Sequence, residues 1–209
     1  MLEYRIRQGI NTLEKSPVIF LIHGYGSHAD DLFSFAPYLP KSHTIIALQA
    51  PLNLSPGGYA WYPLYPKEDG TFTSELEAAW SAVDLLNENI NLLIKKYDLN
   101  SNNISLLGFS QGSILSWALA FSAPKKIRRI VALSGLVHES VDTSQPPTFL
   151  AYAAHGISDF VIPVEKARAT ILPLSEKYTE IEYHEFPEGH SVSQENFTRL
   201  LGWLEKTEL

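Results

Sequence analysis

LLGFSQGS, residues 106–113, places Ser110 between two glycines, Gly108 and Gly112. Glycine-x-serine-x-glycine arises by accident in about one chain in fifteen of this size, so its surroundings must decide what it is. Residues 104–107 form an apolar run of the kind that a buried strand shows. Residues 111–121 carry Ile114, Leu115, Ala118, Leu119 and Phe121 at helical spacing. A serine between strand and helix sits on a tight, strained turn. Side chains two residues before and after it would collide there, and only glycine fits. Such a turn lifts the hydroxyl to the helix N-terminus, above the carboxyl ends of the strands, where open α/β sheets bind ligands.

Strand and helix patterns alternate outward from this point. The continuous apolar run VIFLI, residues 18–22, reads as a strand buried on both faces and stops at His23-Gly24. DDLFSFAPYLP, 30–40, reads as a short helix, and TIIALQAP, 44–51, as a second buried strand. The longest helical pattern spans 73–97, with Leu76, Trp80, Val83, Leu86, Ile90, Leu93 and Tyr97 three and four apart. Thr73 or Ser74 is its expected cap, and acidic residues lead it while lysines close it. Further strands are expected at 128–135, 148–156 and 180–186, and helices at 164–177 and 192–206. The pattern predicts a single α/β domain over 1–209, with a mostly parallel central sheet flanked by helices.

Residues 51–72, PLNLSPGGYAWYPLYPKEDGTF, interrupt the alternation. They are rich in proline, glycine and aromatics, and Tyr59, Trp61, Tyr62 and Tyr65 are costly to leave in water. A long ordered loop of this kind is usually functional. It either walls an apolar site, together with Leu136 and Phe160, or packs as core.

Composition excludes several classes. Among 209 residues, 45% are hydrophobic and 19% charged, which fits a globular protein with a substantial core. The net charge of −7 is unsuited to a nucleic-acid backbone. The local basic cluster Lys125, Lys126, Arg128 and Arg129 reads as a solvated loop. Without cysteine there is no disulfide, thiolate metal site or cysteine nucleophile. No apolar run is long enough for membrane insertion. MLEYRIRQGINTLEKS, residues 1–16, lacks an apolar core and a cleavage site, so a cytoplasmic location is expected. Monomer and homodimer both remain open.

A serine hydroxyl needs a base, and the base needs an orienting acid. After an elbow of this type the expected order is serine, acid, histidine. His184 lies in an alternating strand and His155 closes another, so both read as structural. His190, in PEGHSVS before the last helix, is the expected base. Asp159 follows a strand and its turn and is preferred over Asp142, which no strand leads into. Acyl transfer develops an oxyanion that preorganised N–H donors must meet. Gln111, directly after the serine, supplies one backbone N–H. Tyr25, in the glycine-rich loop IHGYGSHADD, is the best candidate for the second. His23 reads as structural, and the cluster His23, His28, Asp30 and Asp31 matches no metal motif. Neither metal nor cofactor is expected.

Four blocks now stand in order: LIHGYGSHADDL (21–32), APLNLSPGGYAWY (50–62), LLGFSQGS (106–113) with LSG (133–135), and HGISDFVIPVEKA (155–167) followed by EGH (188–190). Together they resemble the phospholipase/carboxylesterase family of α/β-hydrolases, which includes the acyl-protein thioesterases. The resemblance implies a compact α/β-hydrolase fold without a large cap domain. It also implies Ser110, Asp159 and His190 as catalytic triad and the Tyr25 and Gln111 amides as oxyanion hole. Two positions depart from the family pattern: Ser113 stands where a second glycine is frequent, and Tyr25 where leucine is. The implied activity is cleavage of a small-molecule carboxylic ester, or of a thioester or lysophospholipid. A ligand-binding protein on the same fold, and a serine peptidase, are the alternatives.

Overall fold

The computed structural model describes residues 1–10, 15–54, 57–68, 72–123 and 126–208. Its elements in chain order are β1 (Tyr4–Arg7), β2 (Val18–Ile22), α1 (Ala29–Phe33), β3 (Thr44–Leu48), β4 (Leu52–Leu54), β5 (Gly58–Ala60), β6 (Tyr65–Pro66), β7 (Phe72–Thr73) and α2 (Leu76–Lys96). There follow β8 (Ile104–Phe109), α3 (Gln111–Ser122), β9 (Arg129–Leu133), β10 (Leu150–Gly156), α4 (Val164–Thr170), α5 (Leu172–Lys177), β11 (Ile181–Phe186) and α6 (Gln194–Lys206).

Seven strands form one sheet in the order β1-β3-β2-β8-β9-β10-β11. All neighbours are parallel except β1, which runs antiparallel to β3. Alternation along the apolar strands sorts the two layers. Val18, Phe20 and Ile22 face the side covered by α2, α3, α4 and α5. Ile19 and Leu21 face α1 and α6. The chain runs from β2 out to β3 and then returns to β8 on the other flank of β2. The order therefore reverses between β2 and β8, which opens a crevice at their carboxyl ends.

Several boundaries differ from the sequence reading. Strand β1 was not anticipated; it is a short edge strand with little burial to mark it. Helix α1 ends at Phe33 and continues only as turns, because Pro37 and Pro40 bring no N–H. Helix α2 has Glu75 at its N-cap position, without a side-chain cap, rather than Thr73 or Ser74, since Thr73 belongs to β7 and pairs with Tyr65 of β6. The expected helix over 164–177 is two, broken at Ile171. Pro173 cannot donate to the preceding turn and opens the second helix. The closing helix starts at Gln194, with the Ser193 hydroxyl accepting from the Asn196 N–H.

The basic cluster also needs correction. Lys125 lies outside the described residues, and Lys126 bonds Asn87. Arg129 is fully buried, because it opens β9 beneath the end of α6. Its guanidinium donates to Ser105 Oγ (3.0 Å), Leu204 O (3.1 Å) and His43 Nε2 (2.8 Å).

Candidate active site

Ser110 follows the last residue of β8 and caps α3, with φ 54° and ψ −117°. That backbone strain is stored at the elbow. The Ser110 N–H donates to Leu133 O of β9 at 2.9 Å, which pins the turn to the sheet. A Cβ on Gly108 would meet the Gly112 carbonyl, and one on Gly112 would meet the Ile22 carbonyl. Glycine is thus required on both sides by close backbone approach.

His190 Nε2 lies 2.9 Å from Ser110 Oγ, and His190 Nδ1 lies 2.7 Å from Asp159 Oδ2. Sequence separations of 80 and 31 residues close into one chain of hydrogen bonds. Asp159 is buried, and its Oδ1 accepts the N–H groups of Val161 (2.8 Å) and Ile162 (2.9 Å). Its Oδ2 therefore accepts the His190 Nδ1–H. That tautomer leaves Nε2 with a lone pair for the serine hydroxyl. The Phe109 ring packs against the imidazole, with centroids 4.9 Å apart.

The two loops that carry these groups are braced together. The Ser158 N–H donates to Glu188 O at 3.0 Å. The buried Glu188 carboxylate accepts from Asn196 Nδ2 (2.8 Å) and from the Ser193 N–H. The buried Tyr152 hydroxyl in turn donates to Asn196 Oδ1 at 3.0 Å. His155 Nε2 donates to Ile162 O at 2.7 Å and lies 3.3 Å from Asp159 Oδ2. His155 thus holds the turn that presents Asp159, while His184 packs on Tyr152. Asp142 is solvent-facing and accepts from the Ser144 N–H of its own turn.

The glycine-rich loop comes to the same place. A Cβ on Gly24 would lie 3.1 Å from Ser110 Cβ, so this backbone abuts the serine side chain. His23 fixes the loop: Nδ1–H donates to Gly24 O (2.8 Å) and Nε2 accepts the Ala50 N–H (3.1 Å). Burial lowers the His23 pKa, in keeping with that neutral ring. Among the described residues, neither the Tyr25 nor the Gln111 N–H meets a protein acceptor. The latter belongs to the first residue of α3, where no intrahelical partner exists.

The aromatic segment backs this arrangement. The Gly26 N–H donates to Tyr59 O, and Ser27 bridges to Tyr59. The Gln111 side chain accepts the Trp61 N–H (2.9 Å) and donates to Tyr62 O (2.9 Å). Trp61 is buried, and its indole N–H is spent on His23 O at 2.8 Å. Of the two readings left open for this segment, wall of an apolar site or core, the Trp61 side chain lies among core residues, packed behind the elbow. Phe160 stands almost wholly in water, at 94% exposure, so it encloses no cavity. Leu136 is half-buried just beyond β9. Residues 55–56 and 69–71 of the same loop lie outside the described residues. Asp30 pairs with Arg5, and Asp31 accepts from the Ser27 hydroxyl.

Phe109, Glu188 and Asn196 were not singled out from sequence. Their contacts are long-range, and only the nearness of Glu188 to His190 within EGH gave a signal.

Comparison with known proteins places this arrangement among relatives. A model of the phospholipase/carboxylesterase family matches residues 10–208. Acyl-protein thioesterase 1 of Kluyveromyces lactis is 26% identical over 209 aligned residues, covering 90% of this chain and 91% of its own. The crystal structure of esterase PE8 superposes with a TM-score of 0.85 at 25% identity, covering 99% of both chains. That of the Bacillus cereus carboxylesterase gives a TM-score of 0.84 at 19% identity, covering 99% of this chain and 94% of the other. The fold is that of the α/β-hydrolases.

Proposed function

The chain belongs to the phospholipase/carboxylesterase family and is an ester-bond hydrolase, and from that premise we propose that Ser110, His190 and Asp159 carry the reaction through an acyl-enzyme. The observation that carries this reading is the hydrogen-bonded chain from Asp159 through His190 to Ser110 Oγ, at 2.7 and 2.9 Å. Ser110 Oγ attacks the acyl carbon while its proton passes to His190 Nε2. The carbonyl electrons move onto oxygen, which the Gln111 and Tyr25 N–H groups stabilise. Asp159 holds the imidazolium. His190 then returns the proton to the leaving alkoxide, the ester bond breaks, and water repeats the attack to release the acid. That the two core layers share one sheet supports treating residues 1–209 as one domain.

Carboxylic esters of small molecules are the proposed substrates. Thioesters are a second reading, favoured by the likeness to acyl-protein thioesterase 1. The test is turnover of p-nitrophenyl esters of graded chain length by the wild type and Ser110→Ala. Ser110→Ala is expected to lower kcat about ten-thousand-fold or more. Equal rates in the two proteins would remove Ser110 from the mechanism. A wild type that binds esters and thioesters without turning them over would favour the ligand-binding alternative. Faster cleavage of amides than of esters would favour the peptidase.

A further inference from the structure

Tyr4, Lys96 and Tyr97 form a polar cluster at the edge of the sheet, where β1 meets the end of α2. Strand β1 fixes Tyr4 opposite Leu48. The half-buried Tyr4 ring packs edge-on against Tyr97, with centroids 6.3 Å apart and an interplanar angle of 81°. Lys96 is the last residue of α2, where the helix dipole favours a cation. Its ammonium stands 5.3 and 5.4 Å from the centroids of the two rings, and Nζ donates to the Tyr4 oxygen at 2.6 Å. The Tyr4 and Tyr97 oxygens lie 2.8 Å apart.

The donors of this cluster converge on one atom. An ammonium can only donate, so the Tyr4 oxygen accepts from Lys96. Among the described residues Lys96 has no carboxylate partner, and Asp98, two residues on, pairs with Lys15. The positive charge therefore falls on the Tyr4 oxygen and favours its ionised form, and a phenolate in turn accepts the Tyr97 O–H. The hydrogen bonds from Lys96 and Tyr97 hold the Tyr4 pKa below the ordinary phenol value, while the bond to Tyr4 holds Tyr97 above it. Arg5, the next residue of β1, points to the opposite face and pairs with Asp30.

We propose that Tyr4 is a second acyl-accepting site of this protein, separate from Ser110, which Lys96 and Tyr97 activate toward acyl donors with a good leaving group, such as activated aryl esters. The Tyr4 oxygen forms a bond to the acyl carbon, the bond from that carbon to the donor's aryl oxygen breaks, and the leaving group departs as an aryloxide. The phenol proton passes to solvent before the attack, and Lys96 remains an ammonium throughout. The product is an aryl ester of Tyr4, which takes no part in turnover by Ser110. Two phenols one hydrogen bond apart are thus unequal, Tyr4 the nucleophile and Tyr97 its donor.

The test is acetylation by p-nitrophenyl acetate of the wild type and of Ser110→Ala, with each tyrosine followed by peptide mass spectrometry. Tyr38 is the internal standard, because it is 67% exposed against a half-buried Tyr4, and no lysine or arginine among the described residues bonds its hydroxyl. Access alone labels Tyr38 first, whereas activation labels Tyr4 first. Tyr4 is expected to react severalfold faster than Tyr38 in both proteins. Placed in the Ser110→Ala protein, Lys96→Gln is expected to erase that excess, Lys96→Arg to retain it, and Tyr97→Phe, which removes one donor, to lower it in part. Both rates are read in one chain, so a loosened variant, in which tyrosines open together, does not mimic the result. Tyr4 labelled no faster than Tyr38, or an excess that survives Lys96→Gln, would overturn the assignment. So would Tyr4 labelling confined to the wild type, because the acyl group would then come from Ser110 and not from the donor. The reaction proposed for Ser110 does not stand or fall with these outcomes, since the deciding rates are read in a protein that lacks it.

Discussion

Gln111 is joined to the site by both halves of the residue. In the proposed reaction its backbone N–H meets the oxyanion. Its side chain bonds Trp61 N and Tyr62 O, and so joins the elbow to the aromatic segment that also holds Gly26 and Ser27. Truncation at this position leaves two buried backbone groups without partners, each costing about 1–3 kcal/mol. Gln111→Ala is expected to lower stability by a few kcal/mol in urea unfolding, and to lower kcat although the backbone donor is unchanged. An unaltered kcat would mean that the segment 58–62 does not support the oxyanion loop. At the same scale, Tyr25 shows why a motif is incompletely readable. Its place in the chain follows from HGYG, but the approach of this loop to Ser110 depends on β2 and β8 being neighbours.

At the scale of elements, the site is three loop ends held against each other. Glu188 is the tie between the β10–α4 turn and the β11–α6 turn, through its carbonyl to Ser158 and its carboxylate to Asn196 and Ser193. Glu188→Gln places an amide N–H₂ against one of two N–H donors and forfeits a charge-assisted bond of about 1.5–3 kcal/mol. For a chain of this length that corresponds to roughly 5 °C in Tm. The expected result is a lower melting temperature and a severalfold lower kcat with KM little changed, because the substitution displaces His190 while leaving the rest of the site in place. A changed KM at constant kcat would assign Glu188 to substrate binding instead. Elements with continuous apolar runs, such as VIFLI and TIIAL, were legible because burial on both faces leaves a clear sequence trace. That Ser110, Asp159 and His190 would meet was legible from their order and from the strand ends and turns that carry them. Strand β1, the break at Ile171 and the Glu188 tie were not. The first is an edge with polar residues, the second turns on a single proline, and the third exists only once distant turns meet.

For the whole molecule, the end of the sheet opposite the serine holds a buried imidazole, His43, whose protonation couples stability to pH. Arg129 meets His43 Nε2 at 2.8 Å, and Arg7 donates to His43 O at 3.0 Å. Glu208 stands 3.5 Å from His43 Nδ1 as the nearest opposing charge. Burial, with Arg129 second, lowers the His43 pKa from its ordinary 6.5 to about 4. In the unfolded chain His43 takes up its proton near pH 6.5, whereas the folded protein resists until about pH 4. The unfolded state therefore binds more protons across that window, and stability falls as pH is lowered through it. Burial also lowers His23 and His184, so they act in the same direction. For His43 alone, going from pH 7 to pH 5 removes about 2 kcal/mol. His43→Gln keeps an acceptor for Arg129 and removes the titration. Urea unfolding at pH 7 and pH 5 should show a smaller loss in His43→Gln than in wild type, by roughly that amount. The carboxylates common to both proteins cancel in the comparison. An equal loss in the two would mean that Arg129 and the end of α6 do not hold His43 neutral, and that the acid sensitivity of the fold arises elsewhere.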